Sequence, residues 1–67
     1  MDYIIEKKGL SGYSLWYRTN FELWDEVAKE KTLESAKQKA TNLLNEKKGS
    51  YRVRSSWTKD VLFSIAR

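Results

Sequence analysis

The sequence predicts an α+β protein: an antiparallel sheet of four to five strands with one helix packed on one face, in the order ββ(β)αββ. Three observations carry this. Leu33, Ala36, Ala40, Leu43 and Leu44 recur at steps of three, four, three and one, the apolar stripe of a single amphipathic helix. On either side of that stripe the chain alternates apolar and polar residues with the period of two that marks half-buried strands. A lone helix covers only one face of a sheet, so the other face is left to solvent or to a partner.

The elements follow in order. Residues 3–7, YIIEK, form the first strand, and Gly9 and Gly12 bracket a turn, since glycine supplies the positive φ of tight hairpins. GYSLWYRT, residues 12–19, alternates as a second strand, with Tyr13, Leu15 and Tyr17 on one side and Trp16 and Arg18 on the other. Asn20 marks the next turn. Residues 21–31, FELWDEVAKEK, fit two templates. Phe21, Leu23 and Val27 share one face of a strand, whereas Leu23, Trp24, Val27 and Ala28 share one stripe of a helix. The strand is preferred because a separate helix start follows.

That start is Thr32, an N-cap residue, with Glu34 in the first turn where the helix dipole favours an anion. The stripe continues to Leu44, Lys47 and Lys48 fall in the last turn, and Gly49 ends the helix. Ala36 and Ala40 are small enough for the helix to lie close on the sheet. SYRVRSSW then sets Tyr51, Val53, Ser55 and Trp57 on one face and Arg52 and Arg54 on the other. Thr58, Lys59 and Asp60 turn the chain into the last strand, VLFSIA.

Length and composition narrow the function. The 67 residues amount to one domain, 1–67, and a domain of this size buries only about 60% of its unfolded surface. There is no Cys and no His, so no disulfide, thiolate or imidazole metal site is expected. No cofactor is expected either. Glu22, Asp25, Glu26 and Glu30 do not match the alternating oxygens and central glycine of a calcium loop, and suit at most an acidic patch for a basic partner. General acid–base chemistry prefers a group titrating near neutrality, and nucleophilic catalysis needs a base in a pocket; a non-enzyme is expected. No apolar run approaches the ~20 residues of a membrane span, and no signal-type apolar region follows Met1, so a cytoplasmic protein without a membrane partner is expected. Self-association through sheet edges remains open as an alternative staple for so small a core.

The net charge of +4 is uneven: residues 1–36 sum to −2 and residues 37–67 to +6. The predicted open face of the sheet collects Trp16, Arg18, Arg52 and Arg54. Arginine and tryptophan dominate protein–protein hot spots, and aromatic rings with guanidinium groups also suit single-stranded nucleic acid. The same residues can serve the sheet alone, since a cross-strand Trp–Arg stack contributes about 0.5–1 kcal/mol. Lys37, Lys47 and Lys48 are secondary basic contacts, or else a solvated helix face with dipole-complementing charges.

The stretches TLESAKQKA and GSYRVRS resemble the small RNA-polymerase inhibitors of T7-like phages. The matching residues are Thr32, Leu33, Ala36, Ala40, Gly49, Tyr51, Arg52, Val53 and Arg54, about a third of the chain. In that family the strand arginines help dock on polymerase, so the resemblance implies a docking role for Arg52 and Arg54. The chain departs from the family pattern in its longer N-terminal half and its closing strand. Together the residues and the resemblance lead to a small regulator or inhibitor that docks on a macromolecule, a nucleic-acid-handling protein being favoured. The alternative is direct nucleic-acid binding by the same basic, aromatic face.

Overall fold

A computed structural model describes residues 2–67. Four strands and one helix follow in the order β1 (Tyr3–Ser14), β2 (Thr19–Glu30), α1 (Leu33–Glu46), β3 (Ser50–Ser55) and β4 (Val61–Ala66). The sheet is antiparallel throughout, with strand order β2-β1-β3-β4. The α+β class and the single helix are as the sequence predicts.

The helix forms where its pattern places it. Thr32 caps it, its Oγ1 accepting from the backbone N–H of Ser35 at 3.1 Å, which satisfies one of the orphan donors of the first turn. Ala36, Ala40 and Leu44 are buried along one side, with Leu33 and Leu43 at the margins. They pack on Ile5, Tyr51 and Val53 of the sheet, flanked by Tyr3, Ala28, Phe63 and Ile65. The two alanines bring the helix close, and Tyr51 lies beneath it with its hydroxyl donating to the carbonyl of Lys47 at 2.9 Å. The helix ends earlier than the sequence suggests. Lys47 is already the C-cap, with extended backbone, so Lys47 and Lys48 lie beyond the last turn.

The larger departure is at the N-terminal hairpin. Gly9 and Gly12 bracket no turn; both lie inside β1, which runs on to Ser14. Residues 12–19 are therefore not a strand. Their first three residues end β1, residues 15–18 form the turn, and Thr19 opens β2. Gly9 serves a bulge instead, where Gly9 and Leu10 oppose Leu23 alone between the Lys8–Trp24 and Ser11–Glu22 pairs, and Gly12 pairs regularly with Phe21. A second bulge leaves Val27 as the extra residue of β2. Residues 21–30 are strand, which resolves the ambiguity of that segment.

β1 pairs with β3 only over Tyr3–Lys7, while its pairing with β2 extends to Ser14 and Thr19. Beyond Lys8, then, β1 and β2 form a two-stranded ribbon. The six strand residues from Gly9 to Ser14 carry it about 20 Å onward. The Cα radius of gyration is 12.8 Å, against about 11 Å for a compact domain of this length, and the longest dimension is 39 Å. No described helix is long and apolar enough to cross a membrane.

Candidate functional site

Two arrangements stand out on the surface, and the four residues expected on one open face are divided between them. Arg52 and Arg54 lie on the face opposite the helix. Trp16 and Arg18 lie in the turn at the far end of the ribbon. The single Trp16–Arg18–Arg52–Arg54 surface is thus corrected: with residues 15–18 forming a turn, their side chains are not ordered by sheet alternation at all.

On the open face the two arginines converge on one carboxylate. Glu6, in β1 and 6% exposed, accepts from Arg52 Nε at 2.8 Å on one oxygen and forms an ion pair with Arg54, Nε at 3.0 Å, through the other. Register explains the contact: Glu6 sits opposite Arg52, and Ile4 opposite Arg54. A tryptophan does stack on an arginine here, but it is Trp24. From β2 its ring lies 4.1 Å from the Arg52 guanidinium carbon, across the intervening β1. The Trp24 indole N–H donates to Glu22 at 3.3 Å, and Lys8 Nζ lies 3.3 Å from the other Glu22 oxygen. These two contacts, Trp24 foremost, hold the Glu22 carboxyl below its ordinary range. The face is a connected chain of Lys8, Glu22, Trp24, Arg52, Glu6 and Arg54, in which three cations meet two carboxylates. Its chemistry is sheet cross-linking, and its charge is nearly balanced.

The sequence reading passed over Glu6 and Trp24. The signal for Glu6 was a lone acid between Ile5 and Lys7 in a strand able to pair with a strand carrying arginines at alternate positions. The ambiguity of residues 21–31 hid Trp24.

The ribbon tip is built differently. Leu15, Trp16 and Tyr17 are 82%, 94% and 82% exposed, and Tyr13 beside them is more than half exposed. The turn is closed by the Tyr17 backbone N–H against Ser14 Oγ at 3.4 Å and by Arg18 in left-handed backbone, φ 50°. Such a conformation costs a non-glycine residue about 1–2 kcal/mol. No turn-forming Gly, Asn or Pro occupies residues 15–18. Tyr13, Leu15 and Tyr17, expected in the core, are outside it because the ribbon extends past the region where α1 lies. Trp57 is also half-exposed, its ring meeting Tyr3 edge-on with centroids 5.8 Å apart.

The secondary lysines do not gather with either arrangement. Lys37 Nζ sits 5.6 Å from the Phe63 ring centroid, on the helix side, while Lys47 and Lys48 are exposed after the helix. Among the described residues no group of three or more acidic side chains is placed to hold a metal ion. A shallow depression beside the open-face network is lined by Trp24, Arg52, Val61 and Ser64, and is open to solvent. No family model, curated protein or solved structure matches the chain.

Proposed function

We propose that this chain is a small, cytoplasmic, non-enzymatic binding protein that regulates or inhibits a protein partner by inserting its ribbon tip into it. The observation that carries the reading is the exposure of Leu15, Trp16 and Tyr17, three consecutive large side chains on a turn that folding does not bury. An exposed apolar cluster of this size is unusual on a monomer and marks an interaction surface. Covering Leu15, Trp16 and Tyr17 removes on the order of 500 Å² from water, on the area that each aromatic side chain buries. At about 25 cal/mol per Å² this is about 12 kcal/mol before the cost of association, enough for the centre of a specific interface. Tryptophan, tyrosine and arginine, all within residues 16–18, are the residue types of such centres.

A protein is favoured over a nucleic acid because the two sheet arginines already share Glu6, which lowers what they offer to phosphate. The +6 charge of residues 37–67 suits a partner that itself handles nucleic acid. This agrees with the resemblance to small polymerase inhibitors, with the difference that the tip, rather than Arg52 and Arg54, leads the docking.

The test is photo-crosslinking from a benzoyl-phenylalanine placed at position 16, with position 38 on the outer helix face as control. A discrete adduct from position 16, lost in competition with wild type and spared by Trp16→Ala/Tyr17→Ala competitor, supports the reading. Adducts of equal yield from both positions oppose it. Binding of single-stranded oligonucleotide, weakening with salt by about 0.7 in log–log slope per phosphate and unaffected by Trp16→Ala, replaces it with nucleic-acid recognition.

A further inference from the structure

The two edges of the sheet are protected very differently. β2 is one edge, and it carries Glu22, Asp25, Glu26, Lys29 and Glu30 and a bulge at Val27, devices that discourage strand addition. β4 is the other edge. Its six residues, VLFSIA, include no charge and no proline, and its bulge is confined to the start, at Val61 and Leu62. Val61 and Leu62 are about half exposed, and Phe63 and Ile65 only partly covered by α1.

We infer that β4 is the seat of a homodimer, pairing antiparallel with β4 of a second copy to give one continuous eight-stranded sheet. The backbone directions set the register. The Arg67 N–H bonds inward to the Gly49 carbonyl of the preceding segment at 3.0 Å. Successive residues of a regular strand direct their amides to opposite sides, so Ile65 and Phe63 also face β3, while Ala66 and Ser64 present theirs outward, up to the bulge at Leu62. An antiparallel pair about a two-fold axis normal to the sheet must match residues of the same face. Centred on Ser64 it satisfies this and joins the outward amides: Ser64 meets its own copy, Leu62 meets Ala66, and Phe63 meets Ile65.

This pairing is self-complementary in chemistry as well. On the helix side the half-covered Phe63 and Ile65 of each copy close over one another. On the open side small and apolar residues meet with no charge between them. No charged residue faces its own copy. A 67-residue chain without disulfide or metal-binding cysteine or histidine gains from the arrangement the added burial that small cores otherwise lack.

The experiment is sedimentation equilibrium of wild type, Ser64→Lys, Ser64→Glu and their equimolar mixture, with circular dichroism to verify folding. Ser64 is exposed, so either charge is tolerated by the monomer. Wild type is expected to dimerise reversibly by about 1 mM, a concentration that populates even a weak complex. Each single variant sets like charges directly opposite on the axis and raises the dissociation constant by about tenfold or more. Mixing them restores association as a heterodimer. A wild type that stays monomeric, or variants that associate as wild type does, overturns the inference. So does association lost in Trp16→Ala/Tyr17→Ala but kept in both Ser64 variants, which would assign self-contact to the ribbon tip.

Discussion

Glu6 is the residue on which the open face turns. A carboxylate largely removed from water is tolerable only while its oxygens are occupied, and here one arginine takes each. Glu6→Gln leaves two partly covered guanidinium groups facing a neutral amide. We expect a loss of about 2 kcal/mol, less than for a fully buried pair because both arginines reach solvent. For a domain of this size that is a fall in melting temperature of roughly 10 °C. Arg52→Met alone should cost less, and the double variant should show coupling, measured by a thermal double-mutant cycle. Additive losses would mean that the contact carries no stability. Glu22 gives a second residue-scale expectation. Its carboxyl is held below the ordinary value in the folded state, so its contribution is present above the unfolded carboxylate pKa. It is lost as pH falls through the lower folded value. NMR titration should place Glu22 below the ordinary value of an unperturbed glutamate, and Trp24→Phe should raise it, the indole N–H being the leading cause. A Glu22 titration unchanged by Trp24→Phe would remove that cause.

At the scale of elements, legibility followed the strength of each local signal. Helix α1 was readable from Thr32 to Leu44 because cap chemistry and the 3.6-residue period agree there. β3 was readable because alternation is unbroken, buried at Tyr51, Val53 and Ser55. The hairpin was misphased for a physical reason. Gly9 and Gly12 announce a turn, yet Gly9 falls in a bulge and Gly12 in a regular pair with Phe21, and the real turn at residues 15–18 is written in large side chains. Local chemistry that opposes local structure is expected where a segment is kept for contact with something else. Arg18 makes the point measurable. Arg18→Gly removes the left-handed penalty and should raise stability by about 1 kcal/mol, read as a higher melting temperature. If Arg18 also serves docking, the same variant should bind the partner less well. A variant no more stable than wild type would show that the turn holds arginine without strain.

At the scale of the whole molecule, the chain divides into a base and a projection. The base is the helix packed on Ile5, Tyr51 and Val53, and the projection is the ribbon past Lys8. An isolated two-stranded hairpin is marginal in water, so the ribbon depends on the base for its order, and the base owes the ribbon little. Replacing residues 10–22 by Asn-Gly tests this asymmetry. Lys8 and Trp24 already pair, so Gly9 and Leu23 would flank a two-residue turn of the type that matches strand twist. Among the described side chains, the core loses no buried member. The ion pair of Lys8 with Glu22 disappears, which at an exposed site is worth at most about 1 kcal/mol. The shortened protein should therefore keep cooperative unfolding, with its melting temperature within about 8 °C of wild type. As an unlabelled competitor it should fail to suppress the adduct that position 16 forms in the intact chain, and, on the β4 pairing, it should retain its dimer. Cooperative unfolding with partner capture intact would move docking onto the base. Collapse of the fold would show that the ribbon's large side chains, exposed as they are, contribute to stability, and their retention would then need no partner to explain it.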